Sequence, residues 1–160
     1  MIAALLLLSS TVMGPDLVSI RTSYAKSFKS ESETKRLISL LEGVEERSAI
    51  HTAYLGAANM LMANHYFFPT SKYNAFVKGR KLLEGVVAED SSSPEVRYLR
   101  FVNQVETPKI LRYKSNLDED LKIIIDGYDA MDDDLKRRVE AYMTKCEYLT
   151  REQQLNFVTQ

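Results

Sequence analysis

GRKLLEGVVAEDSSSPEVRYLR, residues 79–100, is the stretch that decides the fold. Leu82, Leu83, Val86 and Val87 recur at helical spacing, and the run stops at Asp90. Ser91, Ser92 and Ser93 then make a short polar turn. Ser93 suits the N-cap of a new helix, because its hydroxyl can accept from a first-turn N–H that has no helical partner. Pro94 suits the first helical position, where a missing N–H costs nothing. One amphipathic helix therefore ends and another begins within a few residues, which is the joint of a helical hairpin.

The same reading extends in both directions. Leu17, Ile20, Tyr24 and Phe28 predict a helix over 16–28. Ser30 with Glu33 reads as a capping box that opens a second helix, with Gly43 near its end. A third helix is predicted over 47–67, rich in small residues that would let a neighbour approach closely, and a fourth over 72–89 behind Thr70 or Ser71. The fifth runs from Pro94 to Pro108, with Val96, Leu99, Phe101 and Val102 facing inward. Asn116 with Glu119 caps a sixth over 117–130, and Asp132 or Asp133 starts a seventh with acids at its positive end. Thr150 with Gln153 caps a last short helix containing Leu155 and Val158. No long stretch alternates apolar with polar residues, so strands are not expected. The predicted class is all-α, with about seven to eight helices in antiparallel hairpins and residues 15–160 as one helical domain.

The joint at 79–100 resembles that of a tetratricopeptide repeat, in which a helix ends in an apolar–acidic run, a short turn follows and Pro-Glu opens the next repeat. Gly79 stands where such a repeat has a small residue, and Ser91 stands where it has a turn proline. A wider likeness covers residues 50–125. It comprises Ala-Tyr-Leu-Gly-Ala-Ala at 53–58, Met-Ala-Asn-His-Tyr at 62–66, Lys-Gly at 78–79, Leu-Leu-Glu at 82–84, and Glu95 to Phe101 with Gln104, Pro108 and Asn116 to Asp120. In that order the motifs resemble a family of small, exported, helical bacterial proteins without an assigned biochemical role. The resemblance implies a tetratricopeptide-like array and export, and no active-site residues.

Composition narrows the function classes. A formal net charge of −1 argues against a dedicated nucleic-acid binder, which needs a strongly basic face. The charge is unevenly placed, with residues 72–114 carrying a net +4 and residues 115–160 a net −5. Neighbouring helices could offset one another, or the positive middle could be a basic surface for an acidic partner. The single cysteine, Cys146, can form no intramolecular disulfide and is expected to be buried. Residues 1–14, with the apolar run from Ile2 to Leu8, are expected to be a signal peptide or an N-terminal apolar segment. The localisation that follows is export, periplasmic in a bacterium, or cytoplasmic if the segment is not a signal. The membrane would be met only through that signal.

His51 and His65 fall on one predicted helix about 21 Å apart, too far to share a metal. His65 reads as a hydrogen-bonded core histidine near the aromatic knot, or as a base that lacks a neighbouring nucleophile. Arg97, Arg100 and Gln104 share one side of the fifth helix and could grip a carboxylate or phosphate. They could equally pair with Glu84, Asp118 or Asp120, and a buried Arg97 would require such a partner. Tyr54, Asn59, Asn64 and Tyr73 are candidates to line a groove. The expected function is a non-catalytic interaction or scaffold module with a protein or peptide partner, no cofactor and no metal. Its candidate surface is Arg97, Arg100 and Gln104 with Asn64, His65 and Tyr73. The alternative is a binder of small apolar ligands, with a pocket near Met60, Met62 and Phe76. An enzyme would need His65 or a carboxylate brought beside another titratable group in a cleft.

Overall fold

The computed structural model describes residues 14–157, which form eight α-helices and no strand. They are α1 (Leu17–Ser27), α2 (Glu31–Glu42), α3 (Ala49–His65), α4 (Pro69–Glu89), α5 (Pro94–Glu106), α6 (Leu117–Asp126), α7 (Asp133–Met143) and α8 (Arg151–Asn156). The all-α class therefore holds. The expected leader, except Gly14, and Val158 lie outside the described residues.

Most boundaries follow from local chemistry. Ser30, Ser93, Asp132 and Thr150 each accept a first-turn backbone N–H, and Thr150 with Gln153 completes a capping box. Three ends differ from the sequence reading. Helix α4 starts at Pro69 rather than 72, because the proline itself takes the first turn and Phe68 is the cap. Asn116 does not cap α6 with its side chain; the amide donates to Glu119 instead. Helix α6 stops at Asp126 rather than 130. Gly127 follows, then a 3-10 turn over Tyr128–Ala130, and a side chain at Gly127 would strike Pro94.

Helices α1 and α2 run antiparallel, and so do α4 and α5. Thr34 donates to the Ser27 carbonyl and Arg36 to Ser23, which sets α2 against α1. Arg100 reaches Glu84 while Arg97 reaches the Ser91 carbonyl, which sets α5 against α4. Helix α1 lies parallel to α3 and is held by both histidines. His51 Nε2 meets the Pro15 carbonyl at 3.1 Å, and His65 Nε2 meets the Ser27 carbonyl at 2.9 Å. This course gathers the connections after α1, α3 and α5 at one end of the molecule, and those after α2, α4 and α6 at the other.

Helices α3 and α4 touch backbone to backbone. A methyl group on Gly56 would lie 2.8 Å from the Gly79 carbonyl oxygen and from the Leu83 nitrogen, closer than carbon can approach either. Helix α5 differs more from expectation. Every residue from Glu95 to Gln104 is buried, so it has no wet side. Val96 and Leu99 join a hydrophobic cluster built from α1–α4. Tyr98, Phe101 and Val102 join a second one with α6, α7, Cys146, Leu149 and Phe157. The fifth helix is thus the shared wall of two cores.

Two glycines of α4 should respond oppositely to alanine. Gly79→Ala forces the rigid α3 and α4 backbones apart and should cost about 1–3 kcal/mol. Gly85→Ala meets no atom within 4 Å and should gain about 0.5–1 kcal/mol from reduced chain entropy in the unfolded state. Urea denaturation of both variants measures the difference.

Candidate binding groove and buried ion network

Burying α5 on all sides also buries its polar residues, and each needs a partner. On one side stand Arg97, Arg100 and Gln104, and all three converge on Asp120 of α6, which is wholly buried. Arg100 grips both oxygens of that carboxylate, with Nε to Oδ2 at 2.8 Å and Nη2 to Oδ1 at 2.6 Å. Arg97 reaches Oδ1 at 2.9 Å and Gln104 reaches Oδ2 at 3.2 Å. The outer edge is closed by Glu119, 2.9 Å from Arg97, and by Glu84, 3.1 Å from Arg100. Burial works against the Arg100 charge, and the Asp120 carboxylate more than offsets it, so the guanidinium is held protonated more firmly than usual.

On the opposite side Glu95 receives Arg21 of α1 in a two-pronged pair, at 2.7 and 2.8 Å, and the Tyr54 hydroxyl at 2.8 Å. Arg21 also reaches Asp132 at 2.9 Å and Asp134 at 3.3 Å, both from the start of α7. Its hydrogen bonds to Glu95 raise its already high proton affinity. Among the described residues no buried side-chain nitrogen or oxygen lacks a hydrogen-bond partner.

The structure thus brings together three of the six sequence-derived candidates, Arg97, Arg100 and Gln104, and turns them inward onto Asp120. The internal pairing weighed from the sequence accounts for all three. The others lie apart from that network. Asn64 borders a cavity of about 40 Å³, His65 clasps α1, and Tyr73 is an exposed residue of α4. The apolar pocket expected near Met60, Met62 and Phe76 is reduced to that same cavity, which Met60 and Phe76 line, with room for a few waters at most. Met62 faces instead a polar groove between α2, α3 and α4, shared with Lys35, Glu42, Asn59 and Lys78.

A larger feature lies elsewhere. Helix α7 is tied to α1 by the Arg21 bridge and by Arg138, which donates to Thr22 at 2.9 Å. Beyond these bonds the two helices part and leave a groove of about 780 Å³ floored by α5. Tyr24, Tyr54, Tyr98, Val102 and Tyr142 line it, with Phe28 at one corner. Burial raises the proton affinity of the Tyr24, Tyr54 and Tyr98 phenolates, and burial together with Glu106 does so for Tyr142, so all four hydroxyls stay neutral. Lys29, Arg137 and Lys145 stand on the rim. Arg137 approaches Asp134 only at 3.7 Å, and neither lysine forms an ion pair with a described residue.

Of these groove residues, the sequence reading named only Tyr54 as a lining candidate. The available signal was the spacing over 137–145, where Arg137, Ala141 and Lys145 recur every four residues, as do Arg138 and Tyr142. Among the described residues no group of three or more His, Cys, Asp or Glu side chains is placed to hold a metal ion. No protein-family model, curated protein or solved structure matches the chain.

Removing Asp120 should be severe. Asp120→Ala strands two buried guanidiniums and should cost about 3–5 kcal/mol in urea denaturation. Glu119→Ala, which removes a half-exposed partner of the same arginines, should cost less than about 1 kcal/mol.

The bridge to α7 carries a pH dependence. Hydrogen bonds from Arg21 hold the Asp132 carboxyl below the usual aspartate range, and those from Arg138, with Arg21 behind them, do the same for Asp134. The folded-state values lie below the unfolded value of about 3.9. The stability they contribute is therefore complete above that pH and fades as pH falls through the folded values. The double variant Asp132→Asn/Asp134→Asn should lose stability less steeply than wild type between about pH 4 and 2. Urea midpoints read at successive pH values check this.

Proposed function

We propose that this chain is a non-catalytic binding module and that the groove between α1 and α7 holds a protein or peptide partner. One observation supports the reading. Four tyrosines underlie the groove, with Tyr142 the most exposed of them and three cations on the rim, while the charges beneath are already matched to one another. A segment with an apolar side chain for the floor and carboxylates for Lys29, Arg137 and Lys145 fits that chemistry. The stacking of antiparallel hairpins in the manner of tetratricopeptide repeats belongs to the same proposal, since such arrays bind through shape and side-chain pattern without a reactive group. So does export, for which the apolar run from Ile2 to Leu8 speaks.

A second reading has its own support. A volume of about 780 Å³ lies within the range of small-molecule sites, so an apolar ligand with an acidic group could occupy the same groove.

Ala141 is exposed on the groove wall, and Ala141→Trp would fill the groove without changing charge or core packing. Proteins retained from native extract by the wild-type chain should be lost, by at least tenfold, with this variant. They should persist with a bulky substitution at exposed Val77 on α4, outside the groove. Equal retention by the wild type and Ala141→Trp would overturn the assignment.

A further inference from the structure

The connections after α1, α3 and α5 share one end of the molecule, and each sets a large apolar side chain close to a cation. Phe28 precedes Lys29; Phe67 and Phe68 stand one turn before Lys72; Ile110 lies between Lys109 and Arg112. Phe67 and Ile110 are each 86% exposed and Phe68 65%. The two phenylalanine rings meet edge to face, 5.3 Å between centroids. Single apolar residues on a surface need no explanation, but several gathered at one end mark an interaction site.

Charge distinguishes the same end. No acidic residue occurs from 64 to 83 or from 107 to 117. Lys29, Lys72, Lys109 and Arg112 form no ion pair with a described residue. The opposite end is acidic, with Glu45 and Glu46 before α3, Asp90 after α4, and Asp126, Asp129 and Asp133 around the joint from α6 to α7. The acids that flank this end are each already engaged, Glu31 with Lys35, Glu33 with Arg36, Glu106 with Tyr142, Asp118 with Tyr148 and Glu119 with Arg97, so unpaired cations accompany the apolar tips here while acids predominate at the opposite end.

We infer that this end seats on an anionic lipid bilayer. Phe67, Phe68 and Ile110 enter the boundary between headgroups and acyl chains, and the surrounding cations lie over lipid phosphates. Phe67, Phe68 and Ile110 protrude from two separate connections, which suits a deformable planar partner better than the surface of another protein. A nucleic acid would satisfy the cations but offers no apolar medium for the tips. The acidic end is repelled by the same surface, which orients the molecule upright. The proposal rests on residues outside the α1–α7 groove except Phe28 and Lys29, so it stands or falls separately from the binding reading.

The chain contains no tryptophan, so Phe67→Trp installs a single reporter. Its emission should shift to the blue on adding vesicles of equal parts phosphatidylglycerol and phosphatidylcholine, and the shift should shrink in high salt. Neutralising Lys72 and Lys109 as Lys72→Gln/Lys109→Gln should weaken vesicle binding about 25-fold, roughly fivefold for each cation. Phe67→Ser/Phe68→Ser should weaken it at least tenfold with an unchanged far-ultraviolet circular dichroism spectrum, since neither ring supports the core. An unshifted emission spectrum overturns the proposal. So does vesicle binding that survives loss of both phenylalanines, or a DNA duplex or polyglutamate held as tightly as the vesicles.

Discussion

Asp120 is a wholly buried carboxylate that faces two guanidinium groups on consecutive turns of α5, and the placement of three helices follows from that meeting. Taking Arg97 and Arg100 out of water is costly, and only a partner with matching geometry offsets it. Asp120 supplies that partner from α6, and Glu84 adds a second carboxylate from α4. Neither helix can slide along α5 without leaving a buried charge unmatched. A slide of α6 along α5 would break the pairing of Asp120 with both arginines.

The far side of α5 repeats the arrangement with the signs exchanged. There the buried helix supplies the acid, Glu95, and α1 supplies the cation, Arg21. Because Arg21 has donors to spare, it also engages Asp132 and Asp134 and carries α7 with it. Helix α7 is thus joined to α1 by ions and hydrogen bonds at its first turns and not by a continuous apolar seam. That difference leaves the groove. The space exists because the bridge is short and local, while the tyrosines beyond it are held in place from below by α3 and α5.

Matching the interior charges so completely has a functional corollary. Arginines and carboxylates locked to one another are poor acids, bases or ligands toward anything else, so under the proposed binding reading recognition would fall to surfaces where charges and rings are left over. Two such surfaces occur, the rim of the α1–α7 groove and the end that carries Phe67, Phe68 and Ile110. They share Phe28 and Lys29 and otherwise draw on different helices and connections.

The helices themselves were legible in the chain. Ser30, Ser93, Asp132 and Thr150 cap where their spacing before apolar runs implies, because capping is a contest among neighbouring residues. The displaced boundaries are also local: Pro69 takes the first turn of α4, and Gly127 follows the last turn of α6 where a larger residue would strike Pro94. The central position of α5 was not legible. Its arginines and its mixed pattern read as an ordinary amphipathic helix, since nothing in 94–106 records that Asp120 will arrive from α6 or Arg21 from α1. For the same reason the candidate surface of Arg97, Arg100 and Gln104 became an interior cluster, and the groove drew its walls from α1, α3, α5 and α7. Periodicity and capping depend on residues a few positions apart, so the sequence determined them. Which charges meet, and which faces stay open, depends on residues up to 113 positions apart, and only the packed structure decided that.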